Sequence, residues 1–458
     1  MSPTGNRKTF QDMRIKEINI VNFKGFQNKT VRFNGNLTVV IGNNTAGKTT
    51  LLKALQVGLG AYLQSLKDLP GGTAFRRNFS SHDRFMRFDK DLRDYVPNEA
   101  KPRITIKADY PVTQSSCANS PELSFIPIQW YRELSGNYTT HTRAAAGELI
   151  DAVHRMQDLR NDEKQSSIYP LVLAFGAKRT DDSQAKSKSN VRERASRIEK
   201  AYKFALHDKV DFEGAMEWLS RYEKNVKDGK EFEGTRDAFF EALQVAVPAL
   251  SEIDFDHGEI EAVVSATGHA PSRHHFSYMS DGLQSMINIV SEIAHRCIEL
   301  NGFLGVDAVK MTPGVVMIDE IDLYLHPHWQ KHVLQDLTRA FPMIQFIVST
   351  HSPFIVQSLQ EGQLVSFDDD VLTTGEPFRE SLEDITSERM GLKQDIRSKR
   401  FNEMVATASR LFEAADNGSA DKEKIKSQLD ELEAEFSDDP AYLALIKTEI
   451  KARQKSVL

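Results

Sequence analysis

The chain of 458 residues has few cysteines and no long apolar run. Its two cysteines, Cys117 and Cys297, lie far apart and lack the close spacing of metal-ligand pairs. We expect them to be buried free thiols in a reducing compartment. No apolar stretch is long enough to span a bilayer and no signal peptide is evident, so the sequence predicts a cytoplasmic protein without a membrane partner.

A surplus of basic residues is also missing, since the formal net charge is −7. This balance argues against a protein that coats nucleic acid over its whole surface. Residues 178–209 are the local exception, with ten Lys or Arg against five Asp or Glu. The stretch is either a nucleic-acid surface or a mobile solvated loop, and charge reversal at Arg192, Arg194 and Arg197 would separate the two.

The most informative motif is a complete Walker A loop at residues 42–50, GNNTAGKTT. An apolar strand is predicted at Leu37–Ile41 and a helix at 49–57, so a triphosphate would lie at a helix N-terminus. Lys48 can reach the β- and γ-phosphates, and the Thr49 hydroxyl can ligate Mg²⁺. The predicted ATP-binding residues are Gly42, Asn43, Asn44, Ala46, Gly47, Lys48, Thr49 and Thr50.

Two carboxylates follow a second apolar strand at 315–318. Asp319 can hold Mg²⁺, and Glu320 is placed to polarise the water that attacks the γ-phosphate. Asp after a strand is also a common helix N-cap, but the upstream Walker A loop favours a Walker B motif. After a third strand at 345–349, His351 can hydrogen-bond the γ-phosphate or the water, although a lone His there is more often structural.

Ser280, Asp281 and Gly282 open a predicted amphipathic helix at 282–300. Ser or Asp at this position is ordinarily a helix cap. The exposed N–H groups of a helix start also bind anions, so the tripeptide has a second interpretation as part of a phosphate site.

The remaining elements are predicted from apolar periodicity and turn residues. We expect a two-stranded hairpin at 13–33, further strands at 103–110, 124–131 and 259–267, and a central strand at 169–176. Helices are expected at 211–225, 235–247 and 328–340. Residues 61–101 are predicted to be loop and short helix, and the charged chain from about 380 onward is predicted to be helical.

In this order the motifs resemble the ATP-binding-cassette ATPases, in the branch of RecF, Rad50, SMC and OLD-type proteins. INIVNFKGF at 18–26 is similar to the N-F-[RK]-G-F start of that branch, and DEIDLYLHP at 319–327 to its extended Walker B. The tripeptide at 280–282 matches the start of the family's signature motif. The resemblance implies an α/β fold: an ABC-type P-loop ATPase head with a mixed β-sheet and flanking helices, a helical lobe and a helical C-terminal extension.

The resemblance also implies a shared active site. Two protomers would form a homodimer around two ATP molecules with Mg²⁺, and higher homo-oligomers could follow. Lys48, Thr49 and Asp319 of one protomer would hold a nucleotide that Ser280 and Gly282 of the other protomer cover. Leu283 departs from the transporter signature, which has Gln at this position, and Gln129 is the candidate for the Q-loop glutamine.

A narrower similarity involves the segments at 169–179, 319–330 and 341–353. They are similar to the group called "ATP-binding protein involved in virulence", to which the PtuA ATPases of Septu antiphage systems belong. This similarity implies an ATPase that regulates a separate HNH nuclease of the PtuB kind, with DNA contact. A RecF-like DNA-repair ATPase and a standalone ATP-dependent switch remain open as alternatives, and the neighbouring gene would discriminate between them.

The sequence predicts five segments. They are a flexible leader at 1–12, an ATPase lobe with Walker A at 13–177, a basic loop and helical insertion at 178–258, the signature, Walker B and His part of the core at 259–375, and a helical region at 376–458. The 107 residues after His351 leave no room for a Toprim nuclease, and their acidic cluster at 367–370 is interpreted as a solvated strand end. Leu429, Leu432, Phe436, Leu443 and Ile446 would line a helix that meets either a partner or the ATPase core.

Overall fold

The computed structural model describes residues 13–114, 122–136, 138–162, 167–177, 195–208, 210–265, 270–369, 371–392 and 427. The chain divides into two compact units, Met1–Ile385 and Thr386–Leu458. The predicted leader, Cys117, most of the basic stretch and the predicted C-terminal helix lie outside the described residues. The five predicted segment boundaries therefore stay predictions.

The first unit contains the strands and α-helices named here. Strands β1 to β15 are Arg14–Phe23, Phe26–Arg32, Leu37–Ile41, Met86–Asp89, Asp94–Pro97, Arg103–Gln114, Glu122–Ser135, Tyr138–Thr139, Leu171–Phe175, Leu250–Asp256, Glu259–Val264, Ser272–His275, Gly314–Ile318, Ile344–Ser349 and Leu364–Ser366. Helices α1 to α11 are Lys48–Ser65, Arg143–Asp162, Arg197–Tyr202, Phe212–Lys227, Thr235–Ala246, Asp281–Asn301, Ala308–Met311, Pro327–Gln330, Val333–Ala340, Pro353–Gln357 and Leu382–Asp384. Short 3-10 turns lie at Thr73–Phe75, Ser81–Asp83, Phe276–Tyr278, Gly302–Asp307 and Pro377–Arg379.

A parallel sheet organises the motifs. Its strands lie side by side in the order β15, β3, β14, β13, β9, and every neighbouring pair is parallel. All residues of β3, β9, β13 and β14 are buried, which explains why these strands are continuous apolar runs. Because parallel strands place their carboxyl ends at one edge, the loops after β3, β13 and β14 meet there with three of the predicted motifs.

An antiparallel sheet with the order β2, β1, β6, β7, β8 packs with the first. The predicted hairpin at 13–33 is confirmed as β1 and β2, with Glu17 opposite Arg32. Helix α1 is buried on almost every side from Lys48 to Ser65. The Trp130 indole of β7 donates to the Gly58 carbonyl of α1 at 2.9 Å. The α/β class is thus confirmed, with parallel and antiparallel strands sorted into separate sheets.

A single buried glutamine connects the two sheets. Gln345 of β14 is 1% exposed. Its side-chain oxygen accepts from the Ile15 N–H at 2.8 Å, and its amide donates to the carbonyls of Ile15 at 2.9 Å and Asn34 at 2.8 Å. These bonds satisfy backbone groups of β1 and of the turn before β3 that burial would otherwise leave without partners.

Strand β9 is at the edge of the parallel sheet, so the prediction of a central strand at 169–176 was wrong. The strand is nevertheless buried, because the segment after α3 covers it. The Ala174 N–H donates to the Ala205 carbonyl at 2.8 Å. Burial on both faces gives a covered edge strand the same apolar sequence as a central one.

The segment between strands β9 and β13 of the parallel sheet is mainly helical. The predicted helices at 211–225 and 235–247 are confirmed as α4 and α5, and the signature helix α6 runs from Asp281 to Asn301. Two ion pairs stabilise this region. Buried Arg296 bonds Glu292 at 2.6 Å within α6, and half-buried Arg197 of α3 bonds Glu231 at 3.0 Å. The predicted strand at 259–267 is confirmed as β11, the middle of a three-stranded antiparallel sheet.

Two predictions of local structure were wrong. The helix expected at 328–340 is divided into α8 and α9, because the backbone at His332 is not helical. Residues 61–101 are more ordered than expected, since α1 continues to Ser65 and a β4–β5 hairpin pairs Phe88 with Tyr95. Short helices separated by one irregular residue and a solvent-exposed hairpin both lack a long periodic signal.

Cys297 is a fully buried free thiol on α6, as predicted. Burial raises the pKa of its thiol above the ordinary value, so the thiol stays protonated. Among the described helices, none is both long and apolar enough to cross a membrane.

We expect Gln345→Met to destabilise the first unit by about 3 kcal/mol, because a thioether of similar size leaves the buried Ile15 N–H and carbonyl and the half-buried Asn34 carbonyl without this partner. Urea unfolding followed by circular dichroism measures the change. Gln335→Met, on the exposed side of α9, is the matched control and should shift stability by less than about 0.5 kcal/mol. Equal stability of the two variants would show that Gln345 does not join the sheets.

Candidate nucleotide-binding site

The Walker A loop connects β3 to α1 and is shaped by glycine. Gly42 and Gly47 have φ values of 151° and 106°, which side chains rarely tolerate. A Cβ at Gly47 would also collide with the Phe26 ring. Gly47 is the N-cap of α1 and offers no capping side chain, so the first-turn amides face a position suited to phosphate oxygens.

The Walker lysine is folded back onto its own loop. Lys48 Nζ donates to the Gly42 carbonyl at 2.6 Å and to the Asn43 carbonyl at 3.2 Å. Burial lowers the pKa of the Lys48 ammonium, and the carboxylates of Asp368 and Asp319 oppose that shift. The Lys48 ammonium therefore lies within the Walker A loop, the position from which the lysine of a P-loop contacts phosphate.

Asp319 brings the first two motifs into direct contact. Its Oδ2 accepts from the Thr49 hydroxyl at 2.8 Å, and its Oδ1 accepts from the Ser349 hydroxyl at 2.5 Å. The residues after Asp319 form a turn rather than a helix. The N-cap interpretation of Asp319 therefore does not hold.

Glu320 follows with a positive φ of 50°, an unusual conformation for a non-glycine residue. Its N–H donates to the Ser349 hydroxyl at 2.8 Å. Ser349 thus contacts both residues of the Walker B pair, and it defines where the chain turns after β13.

His351 lies at the same edge with an exposed side chain. Its backbone N–H approaches Asp322 Oδ1 at 3.4 Å, and the neighbouring Thr350 hydroxyl donates to the same oxygen at 2.6 Å. The acidic residue three positions after Asp319 therefore holds the backbone beneath the histidine. A buried structural imidazole is excluded.

The signature tripeptide starts α6, but it does not cap the helix. Ser280 occupies the N-cap position without a side-chain bond to the helix, and Ser280 and Asp281 are exposed. Gly282 is buried, and a Cβ there would lie 2.6 Å from the Tyr324 carbonyl oxygen. Helix α6 thus packs against the segment that follows the Walker B motif.

Gln129 lies in the interior of β7, opposite Lys107 of β6, and not at the motif-bearing edge of the parallel sheet. The structure gives this residue no Q-loop position. The end of β9 does reach this edge, where the Phe175 carbonyl accepts from the Asp319 N–H at 2.9 Å. The sequence analysis predicted strand β9, but it did not predict that β9 pairs with the Walker B strand β13.

Sequence reasoning also missed several polar residues that shape the site. Their side chains bond the motif loops, as the Gln284 amide does to the Met279 carbonyl at 3.0 Å. These residues are Ser349, Asp322, Gln284, Gln330 and Asp368. Ser349 and Asp322 lie within two or three residues of predicted motifs, so proximity could have indicated them. Nothing in the sequence indicates the bonds of Asp368.

The described part of the basic stretch has a structural role. Arg197 contacts Glu231 and also donates to the Ile298 carbonyl at 3.0 Å. Reversing its charge would break this cluster, so only Arg192 and Arg194, outside the described residues, remain useful for a nucleic-acid test.

The oxygen donors suit Mg²⁺. Among the described residues no group of three His, Cys, Asp or Glu side chains could hold a metal. Thr49 and Asp319 offer one hydroxyl and one carboxylate, which matches the habit of Mg²⁺ to bind few protein ligands together with phosphate and water.

Two family models match the chain. One, described as "AAA domain", matches residues 17–243. The other, described as "AAA domain, putative AbiEii toxin, Type IV TA system", matches residues 152–357.

Individual proteins and structures are similar at lower identity. The chain is 24% identical over 402 residues to the retron Vc95 probable ATPase of Vibrio cholerae serotype O1 biovar El Tor, which covers 77% of this chain and 73% of that protein. It is 36% identical over 115 residues to the Septu protein PtuA of Bacillus mycoides (strain KBAB4), but this covers 25% of this chain and 15% of that protein. A crystal structure of an Smc head bound to the C-winged helix domain of ScpA is 17% identical with a TM-score of 0.43, covering 80% of this chain and 95% of that one.

The parallel sheet with Walker A after β3 and Walker B after β13 defines an ABC-type P-loop ATPase head. Helix α1 and the carboxylates face each other as that class requires. The chain matches AAA-domain models and is similar to the retron and Septu ATPases.

We expect Ser349→Ala to lower kcat for ATP hydrolysis by about tenfold or more, because Asp319 loses a hydroxyl donor and Glu320 loses its N–H acceptor. A smaller change is expected in KM, since the P-loop itself is untouched. A phosphate-release assay measures both. Ser220→Ala, on the exposed side of α4, is the control, and matching kcat values for the two variants would rule out this positioning role.

Proposed function

We propose that this chain is the ATP-binding and ATP-hydrolysing subunit of an antiphage defence complex and regulates a partner HNH nuclease. The observation that carries the nucleotide part is the contact of Thr49 and Ser349 with one carboxylate, Asp319. It assembles the Walker A, Walker B and His loops at one edge. The defence part is supported by the relatives named as retron and Septu proteins.

In the proposed site Lys48 and the α1 amides bind the phosphates, and Thr49 and Asp319 hold Mg²⁺. When bound there, Mg²⁺ would supply neutralisation of the charge that develops on the phosphates. Glu320 orients and deprotonates the attacking water. His351, with its exposed ring on a backbone held by Asp322, contacts the γ-phosphate side.

The proposed active unit is a homodimer. Ser280 is exposed at the start of α6, and its hydroxyl does not cap the helix. The N–H groups of the first turn of α6 are therefore placed to bind an anion from outside the protomer. The γ-phosphate of a partner-bound ATP is that anion. Because each ATP then contacts two protomers, nucleotide binding stabilises the dimer by mass action.

Hydrolysis would open the dimer, because it removes the phosphate that bridges the two protomers. The packing of Gly282 against the Tyr324 carbonyl gives this event a route within one protomer. A movement of the segment after Walker B would displace the Tyr324 carbonyl against which the start of the signature helix packs. The proposed output is a nucleotide-dependent change in the surface offered to the nuclease.

We expect Glu320→Gln to bind ATP without hydrolysing it and to accumulate as a dimer, because the general base is lost while the phosphate site is kept. Light scattering after gel filtration with ATP measures the mass. Glu361→Gln, at an exposed loop position, should behave as wild type. Adding Ser280→Arg to Glu320→Gln should return the protein to a monomer, and hydrolysis by Glu320→Gln at the wild-type rate would exclude Glu320 as the base.

The defence role is tested by copurification with the product of the adjacent gene. If that product is an HNH protein, we expect a stable complex whose DNA cleavage differs by about tenfold or more between ATP and its absence, since nucleotide state controls dimer closure. A Lys48→Ala complex should not respond to ATP. A recombination gene as neighbour, with ATP-dependent loading onto DNA ends, would instead support a RecF-like repair ATPase.

A further inference from the structure

We propose that Asp368 is a positioning residue that holds the stem of the Walker A loop from the end of β15. The inference rests on the proposed ATP-binding role of that loop. Asp368 belongs to the acidic cluster that the sequence suggested was a solvated strand end, and the structure gives it a specific contact instead.

The contact joins two parallel strands just beyond their ends. β15 pairs with β3, with Ser366 opposite Ile41, and the Phe367 N–H continues the ladder to the Ile41 carbonyl at 3.1 Å. One residue later, Asp368 turns its carboxylate to the Asn43 N–H. The distances are 3.0 Å to Oδ1 and 2.9 Å to Oδ2, so both oxygens share one donor.

The backbone that carries the Asp368 side chain is itself held in place. The Asp368 N–H donates to the Ser366 hydroxyl at 3.1 Å. The preceding Phe367 lies against Gly42, where a Cβ would be 3.2 Å from the Phe367 Cβ. The Phe367 ring meets Phe26 edge-on, with centroids 5.7 Å apart, and Phe26 in turn contacts Gly47. Both glycines of the motif are therefore braced from the same side.

The Gly42–Asn43 peptide is fixed at both of its polar atoms. Asp368 accepts from its N–H, and Lys48 Nζ donates to its carbonyl at 2.6 Å. An anion at the N–H and a cation at the C=O both align with the peptide dipole, and charged partners form the stronger hydrogen bonds. When Lys48 turns to phosphate, Asp368 is left as the charged partner that keeps this peptide in its orientation.

The position of the bond decides the direction of the effect. Asn43 is the second residue of the loop, before the turn at Thr45 and Gly47 and before the start of α1. Asp368 therefore occupies the stem and not the helix N-terminus where phosphate binds. Removing the carboxylate frees the loop and adds an ordering cost to ATP binding, rather than removing a competing anion.

The experiment compares Asp368→Ala, Asp368→Asn and the matched control Asp369→Ala, at the exposed neighbour. The full chain is titrated with a fluorescent ATP analogue, and kcat and KM are measured with ATP. We expect Asp368→Ala to raise Kd and KM by about tenfold, the loss expected for a charge-assisted hydrogen bond, with kcat nearly unchanged. Asp368→Asn keeps an acceptor oxygen but loses the charge, so its affinity should lie between those of Asp368→Ala and wild type, and Asp369→Ala should match wild type.

Three results would overturn the inference. Asp368→Ala could bind ATP as the control does, it could bind more tightly, or Asp368→Asn could fall as far as Asp368→Ala, which would show that the hydrogen bond to Asn43 contributes nothing. If Asp368→Ala does not fold, the comparison of Asp368→Asn with Asp369→Asn decides: Asp368→Asn is expected to bind about threefold more weakly, and equal affinity would overturn the inference. A wild-type chain that fails to bind ATP would refute the proposed function itself, whereas wild-type binding with an unchanged Asp368→Ala refutes only this inference.

Discussion

The site depends on one carboxylate. Asp319 ends β13, which lies between β14 and β9 in the parallel sheet. Its side chain accepts from Thr49 and Ser349, and its N–H donates to the Phe175 carbonyl. Asp319 therefore contacts the start of α1 and the ends of both β14 and β9. A shift of any of these elements changes the distance between the phosphate loop and the Walker B carboxylates.

The sequence predicted the parts of this arrangement that have local signals. Strand β3 was bounded correctly at Leu37–Ile41 because full burial gives a continuous apolar run, and the Walker A spacing is set by the loop geometry itself. The Walker B pair and His351 were identified because each follows an apolar strand, and the parallel pairing of these strands brings them to one edge. The positions of these three motifs are explained by topology that a sequence can reveal.

The rest could not be predicted because it depends on contacts between distant segments. A covered edge strand and a central strand have the same composition, so β9 was misplaced. Gln345 is 330 residues from Ile15, and Asp368 is 325 residues from Asn43. A polar residue gives no indication in one sequence of which remote backbone group it satisfies. Of the residues that were missed around the site, Asp368 is of this kind.

Asp319 and Asp368 hold the Walker A segment at its two ends. Asp319 contacts Thr49, at the helix end of the loop, and Asp368 contacts Asn43, at the strand end. Between these points lies Gly47, whose conformation requires freedom from a side chain. A flexible loop bound only at one end would lose more entropy when it closes on phosphate. Fixing both ends from other strands of the same sheet leaves the middle of the loop free to adjust, as a site that binds and releases nucleotide in each cycle requires.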